Sequence, residues 1–430
     1  MKRKIEAQLE AWKNMKIGRR PLLLNGARQV GKTWLLKELG TKQYENYIHV
    51  SLDINRRVAS YFDVDISPAY IIKMLEAEFQ QRIQPEKTLV ILDEIQTCER
   101  ALSSLKYFAE DAPEYHVVAA GSLLGVAVNR EQFSFPVGKV QTHMLYPLTF
   151  EEFLWAMSDE QLASDIRSSF ASMKPLPEGL HLWAIDRLRE YLAVGGMPAC
   201  VDAYAQGIAI IDLPSMQSEI INNYVADMAK YASPSEAVRI RASYNSLPAQ
   251  LGKENRKFQY KVVQKGGTAS IFGIAIEWLA SAGVVLKSQR IKQGTQPVAT
   301  SVDLSSFKLY MADIGLLCVK AGVRLSDVLS GMPHHFQGAL AENYVAEQLA
   351  AMGHELFYWT SENTAEVDFV LQTQEGISAL EVKSGTNTHS RSLSLFVKRY
   401  RPERAIRLSL KPFGSGGSIM AVPLYAVFCL

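Results

Sequence analysis

Residues 21–33 read Pro21-Leu22-Leu23-Leu24-Asn25-Gly26-Ala27-Arg28-Gln29-Val30-Gly31-Lys32-Thr33, and the helical run Trp34-Leu35-Leu36-Lys37-Glu38-Leu39 follows directly. A short apolar run closed by glycine predicts a buried strand, and Gly26 to Thr33 fits the pattern G-x-x-x-x-G-K-[ST] between that strand and a helix. The pattern has a mechanical reason. Glycines let the backbone curl until its N–H groups converge, and the helix N-terminus adds unpaired amides and partial positive charge, so the segment is suited to phosphate. In such a loop Lys32 bridges the terminal phosphates of ATP and the Thr33 hydroxyl ligates Mg²⁺, while Gly26, Ala27, Arg28, Gln29, Val30, Gly31 and Trp34 complete the cradle.

Working outward, Thr88-Leu89-Val90-Ile91-Leu92-Asp93 and His116-Val117-Val118-Ala119-Ala120 are two more unbroken apolar runs. Strands covered on both faces read this way, so residues 1–150 are expected to form an α/β layer with a parallel sheet, a P-loop NTPase core. The second run ends in Asp93-Glu94, at the carboxyl end of a strand, where open α/β sheets bind their ligands. Asp93 suits the Mg²⁺ coordination sphere, and Glu94 suits a base for the attacking water. Ser122, after the third strand, offers a hydroxyl to the γ-phosphate or the water. Arg130 and Lys139 are candidate charge stabilisers in the loop beyond.

The remainder of the chain changes character. Residues 151–233 carry helical spacing and are expected to form a helical lid; residues 234–325 run helix, basic stretch, helix and hairpin, which predicts a winged helix. Lys253, Arg256, Lys257, Lys261 and Lys265, interleaved with Phe258 and Tyr260, could neutralise phosphates of DNA, although winged helices also dock proteins. Residues 326–430 read as a separate α/β domain, with a helix near 338–352 and strands near Phe357, Val367 and Leu380.

Composition narrows the classes. Forty-six basic against forty-four acidic residues leave a net charge of +2, so bulk charge points to neither nucleic acid nor an anionic membrane. No apolar run reaches the roughly 18 to 20 residues of a membrane span, and Met1-Lys2-Arg3-Lys4 leads into a charged helix, so a cytoplasmic location is expected. Cys98, Cys200, Cys318 and Cys429 lie far apart without zinc-finger spacing.

The motifs resemble a family of prokaryotic AAA+ ATPases carrying the C-terminal domain DUF4143. The resemblance rests on Gly26–Thr33, Leu92-Asp93-Glu94-Ile95-Gln96, Gly121-Ser122, Phe135-Pro136-Val137-Gly138 and Pro147–Phe153. It continues in Gly195-Gly196-Met197-Pro198, Lys308–Leu317 and Glu342-Asn343-Tyr344-Val345. It implies ATP binding and hydrolysis, with the Gly-Gly-x-Pro turn, Pro198 included, near the nucleotide. Family members often carry Arg where this chain has Lys139, and lysine lacks the planar fork.

Near the C-terminus, Glu366-Val367-Asp368 and Glu381-Val382-Lys383 read as two strands, each placing its charged pair on one face. With Glu342 from the preceding helix they form a candidate second metal site, Glu342, Asp368, Glu381 and Lys383, that resembles a PD-(D/E)xK nuclease or restriction-endonuclease-like fold. The expected function is a Mg²⁺-dependent ATPase that drives or gates a DNA- or protein-binding C-terminal module. Two alternatives stay open: an ATP-regulated, metal-dependent DNA nuclease, and a non-hydrolysing, ATP-latched signalling or scaffold protein.

Overall fold

The computed structural model describes residues 1–122, 136–361, 365–385 and 391–430. Arg130 and Phe135 lie outside the described residues. The chain divides into two compact units, one of residues 2–146 with 281–283, the other of residue 1 with 147–280 and 284–430.

In the first unit, α1 (Glu6–Asn14) precedes β1 (Leu22–Asn25), α2 (Lys32–Gln43), β2 (Asn46–Ser51), α3 (Arg56–Val64), α4 (Pro68–Phe79), β3 (Thr88–Asp93), α5 (Glu99–Asp111), β4 (His116–Gly121) and β5 (Gln141–Met144). The strands form one sheet in the order β2-β3-β4-β1-β5, and every pair is parallel. The three apolar runs are the central strands β1, β3 and β4. β3 and β4 are buried along their whole length, as strands covered on both faces must be. The edge strand β2 alternates in burial through Ile48 and Val50, and β5 alternates too, so neither stands out as an apolar run. Leu23, Val50, Val90, Leu92, Val117 and Ala119 pack with Phe62, Ile71, Leu105 and Phe108 into one core between sheet and helices. The sheet order separates the phosphate loop from the acidic pair: β4 lies between β1 and β3, so Asp93 ends the next-but-one strand and not the neighbouring one.

The second unit opens with helices Phe150–Ala156, Glu160–Ser172, Glu178–Val194, Pro198–Ala205 and Leu213–Tyr231. Thr149 accepts the Glu152 N–H while Glu152 returns a bond to the Thr149 amide, a capping box that starts the first of these helices. An eight-stranded mixed sheet follows, built from β6 (Val285–Ile291), β7 (Val302–Met311), β8 (Phe357–Thr360), β9 (Glu366–Gln372), β10 (Ile377–Val382), β11 (Arg404–Ser409), β12 (Gly414–Gly416) and β13 (Ile419–Pro423). β6 and β7 form the expected antiparallel hairpin, but it does not stand alone. β6 also pairs in parallel with β8, through Gln289 opposite Phe357 and Ile291 opposite Trp359, so the hairpin extends the C-terminal sheet across residue 325.

Helix Gln337–Ala351 is buried on almost every side, so its polar residues must find partners inside. Asn343 exchanges two hydrogen bonds with the backbone of Met311 at the end of β7, and the Gln348 carbonyl accepts the Phe150 N–H at 2.9 Å. Among the described residues, no helix is long and apolar enough to cross a membrane.

Candidate functional site

Gly26 and Gly31 take φ of 151° and 95°, backbone regions that residues with side chains rarely occupy. At Gly26 space is also decisive, because a Cβ there would stand 2.3 Å from the Leu145 carbonyl oxygen. The loop therefore turns tightly against the strand end of β5 and delivers Lys32 and Thr33 as the first residues of α2. Lys32 is buried and donates to the Gly26 and Ala27 carbonyls at 2.9 and 2.8 Å. Burial pushes its ammonium down to about 8, while Glu94 and Asp93 oppose that shift. The adjacent Arg28 adds to it.

Thr33 Oγ1 donates to Asp93 Oδ2 at 2.6 Å, so the loop and β3 meet across the intervening strand. Asp93 also contacts His49 Nε2 at 3.3 Å and accepts the Glu94 N–H at 3.0 Å. Burial alone would raise the Asp93 carboxyl; the bonds from His49, Thr33 and the Glu94 amide outweigh it and leave the group below its ordinary value. A hydroxyl and an ionised carboxylate side by side are hard oxygen donors of the kind Mg²⁺ takes beside phosphate, so the residues present fit that ion. Glu94 sits at φ 51°, and its Oε2 accepts from Gln96 Nε2 at 2.5 Å. Ser122 is buried directly after β4, the strand between β1 and β3, and Trp34 is half-exposed on α2. Lys139 pairs with Glu110 of α5 at 2.8 Å on an open surface. Gln96 is quoted above only within a motif, and His49 not at all; a histidine in an alternating edge strand carries no local signal of its contact with Asp93.

Pro198 belongs to the second unit, where it opens helix Pro198–Ala205. The turn before it is packed against that unit's own residues: Gly196 N–H donates to Asp313 Oδ2 at 2.7 Å, and its carbonyl accepts from Leu148 N–H at 2.7 Å.

The C-terminal carboxylates meet an internal cation. Lys308 of β7, fully buried, lies 2.8 Å from Glu342 and 2.5 Å from Glu366. Glu342 also accepts from Tyr310 at 2.5 Å and from Arg256. Asp368 accepts the Val382 N–H at 2.7 Å; burial raises its carboxyl although Lys308 pulls the other way. Glu381 pairs with Lys383 at 2.8 Å. Among the described residues, no three His, Cys, Asp or Glu side chains gather as a metal site. Lys308, quoted above only within a motif, is the cation that organises this cluster.

A curled amide loop, a buried lysine, and a threonine joined to a strand-end aspartate, set on a parallel sheet, make the arrangement of a P-loop ATPase domain. Residues 18–154 match the family model described as an AAA domain, AAA_14. Residues 185–327 and 337–427 match two domains of unknown function, DUF8612 and DUF4143. The chain thus joins an AAA-type P-loop ATPase domain to a C-terminal DUF4143 domain. A Walker-type ATPase of Pyrococcus abyssi is similar at 14% identity and a TM-score of 0.42, over 74% of this chain and 95% of that one. The ORC2 protein of Aeropyrum pernix is similar at 15% and 0.36, over 77% and 95%. DnaA of Aquifex aeolicus is similar at 14% and 0.30, over 64% and 86%. No curated protein matches the sequence.

Proposed function

We propose that this chain binds ATP with Mg²⁺ in the cradle of Gly26 to Thr33, hydrolyses it, and uses the nucleotide state to gate its second unit. The observation that carries this reading is the 2.6 Å contact between Thr33 and Asp93, beside the buried Lys32. Thr33 and Asp93 would hold the metal, which supplies charge neutralisation on the phosphate oxygens. Lys32 binds the terminal phosphates. Glu94 accepts a proton from water as its oxygen bonds to the γ-phosphorus; the bond to the bridging oxygen breaks, and ADP leaves with that electron pair. Before it can act, Glu94 must leave Gln96, and Ser122 is available to orient the γ-phosphate.

A protein partner for the second unit is better supported than DNA. Arg256 is turned inward onto Glu342, and Lys253 lies 3.3 Å from Gln259 Oε1. Lys261 and Lys265 remain exposed, but helix Ala269–Ser281 carries no cation of its own: its outward face presents Ile271, Ile274 and Glu277, the last already paired with Lys287 of β6.

Phosphate release and nucleotide binding test both parts. Lys32→Ala is expected to abolish ATP affinity, and Glu94→Gln to retain binding while turnover falls by about a hundredfold or more. Normal turnover in both variants would end the ATPase reading. Release unaffected by duplex DNA fits a protein partner, whereas stimulation by DNA would overturn that choice.

A further inference from the structure

Arg3 lies outside the phosphate loop in sequence but not in space. Its side chain is buried, Nη1 donates to the Val30 carbonyl at 3.1 Å, and Nη2 donates to the Tyr146 carbonyl at 2.6 Å. Val30 is the residue before Gly31 of the cradle, and Tyr146 follows Leu145, the residue just past β5 whose carbonyl confines Gly26. One planar guanidinium thus ties the middle of the loop to the strand end beside it.

The position of Arg3 is itself set firmly. Its backbone N–H donates to Glu6 Oε1 at 2.8 Å, and the Glu6 N–H donates back to the Arg3 carbonyl at 3.2 Å. Ile5, Leu9 and Trp12 are buried, and Leu9 shares a small cavity with Leu35 and Leu39, so α1 is seated beside the helix that the loop begins.

A trans peptide is planar, with its C=O and N–H on opposite edges. Holding the Val30 oxygen from behind therefore fixes the direction of the Gly31 N–H on the other edge, one of the amides that must face a phosphate oxygen. The guanidinium also adds a full positive charge behind a loop that binds an anion, in surroundings where water screens it poorly.

We infer that Arg3 is a positioning residue for the phosphate loop, preorganising the Val30–Gly31 peptide for the nucleotide; the inference rests on the ATP-binding reading above. Preorganisation of a binding loop should appear mainly in affinity and little in the chemical step.

The test measures binding of a fluorescent ATP analogue to the full chain, with and without Mg²⁺, together with the KM and kcat of phosphate release. Arg3→Met is expected to raise Kd and KM about tenfold, with kcat within about twofold. Arg3→Lys keeps the charge and loses the fork, so its Kd should fall between wild type and Arg3→Met. Should Arg3→Met fail to fold, as judged by circular dichroism, a Kd of Arg3→Lys equal to wild type would still overturn the inference. Wild-type affinity in both variants, or a loss confined to kcat, overturns it as well. If the wild-type chain itself does not bind ATP, the ATPase reading falls; if it binds and the variants bind equally well, only the role of Arg3 falls.

Discussion

Asp313 and Gly196, 117 residues apart, are joined by a hydrogen bond of 2.7 Å from the Gly196 amide to Asp313 Oδ2. The other carboxylate oxygen accepts the Leu316 N–H at 2.9 Å and caps helix Ile314–Lys320. Two stretches that the sequence presents as separate motifs are therefore one knot. Its glycines are there for close approach: a Cβ at Gly196 would stand 2.1 Å from the Leu148 oxygen, and one at Gly315 would stand 2.6 Å from the Val194 oxygen.

Gly196→Ala is accordingly expected to destabilise the second unit by more than about 3 kcal/mol, because backbone and not a flexible side chain must yield. Urea unfolding of the full chain measures it. A change below about 1 kcal/mol would show that the Leu148 segment moves freely.

Asp313 should also leave a pH signature. Burial raises its carboxyl from 3.8 to about 6, although the amides of Leu316, Gly196, Gly315 and Met197 oppose the shift. The folded protein then holds this proton more tightly than the unfolded chain. Its contribution to stability is full below the unfolded value and is lost as pH rises through about 6. The stability of wild type minus that of Asp313→Ala should therefore fall by about 3 kcal/mol between pH 3.5 and 7. A difference that rises with pH would contradict this assignment.

Lys308→Met removes the buried cation shared by Glu342 and Glu366 and is expected to destabilise by about 3 kcal/mol: buried Glu342 keeps Tyr310 and Arg256, while part-exposed Glu366 loses its ion pair. Because Lys308, Arg256 and Lys383 already pair with Glu342, Glu366 and Glu381, Mn²⁺ titrated into the nucleotide-free wild-type chain should show no site that Asp368→Ala abolishes. Loss of a stoichiometric Mn²⁺ site in that variant would restore a metal role for these acids.

Thr33→Val deletes the hydroxyl beside Asp93 but leaves the amide cradle. Binding of a fluorescent ATP analogue in EDTA should change less than about threefold, whereas the gain in affinity on adding Mg²⁺ should largely disappear. An intact Mg²⁺ gain would remove Thr33 from the metal's ligands.

The phosphate loop was legible because its chemistry is local. Eight consecutive residues, two of them glycines with φ near 151° and 95°, specify the curl and deliver Lys32 and Thr33 at a helix start. The central strands were legible because burial on both faces leaves an unbroken apolar run. β2 and β5 were not, since edge strands alternate and His49 among them looks like an ordinary surface position. Likewise, Arg256 reads as one of a basic run, and nothing beside it in the chain reveals that it turns inward to Glu342.

From residue order alone come the glycine loop, the acidic strand end and the alternation of Glu366 and Asp368 in β9. Only the tertiary structure decides that β4 separates β1 from β3, that Arg3 reaches Val30, that Asp313 anchors Gly196 and that Lys308 pairs with Glu342 and Glu366. The physical reason is range. Backbone conformation and side-chain periodicity are set by near neighbours, whereas hydrogen bonds and ion pairs between distant residues depend on which strands and helices pack together.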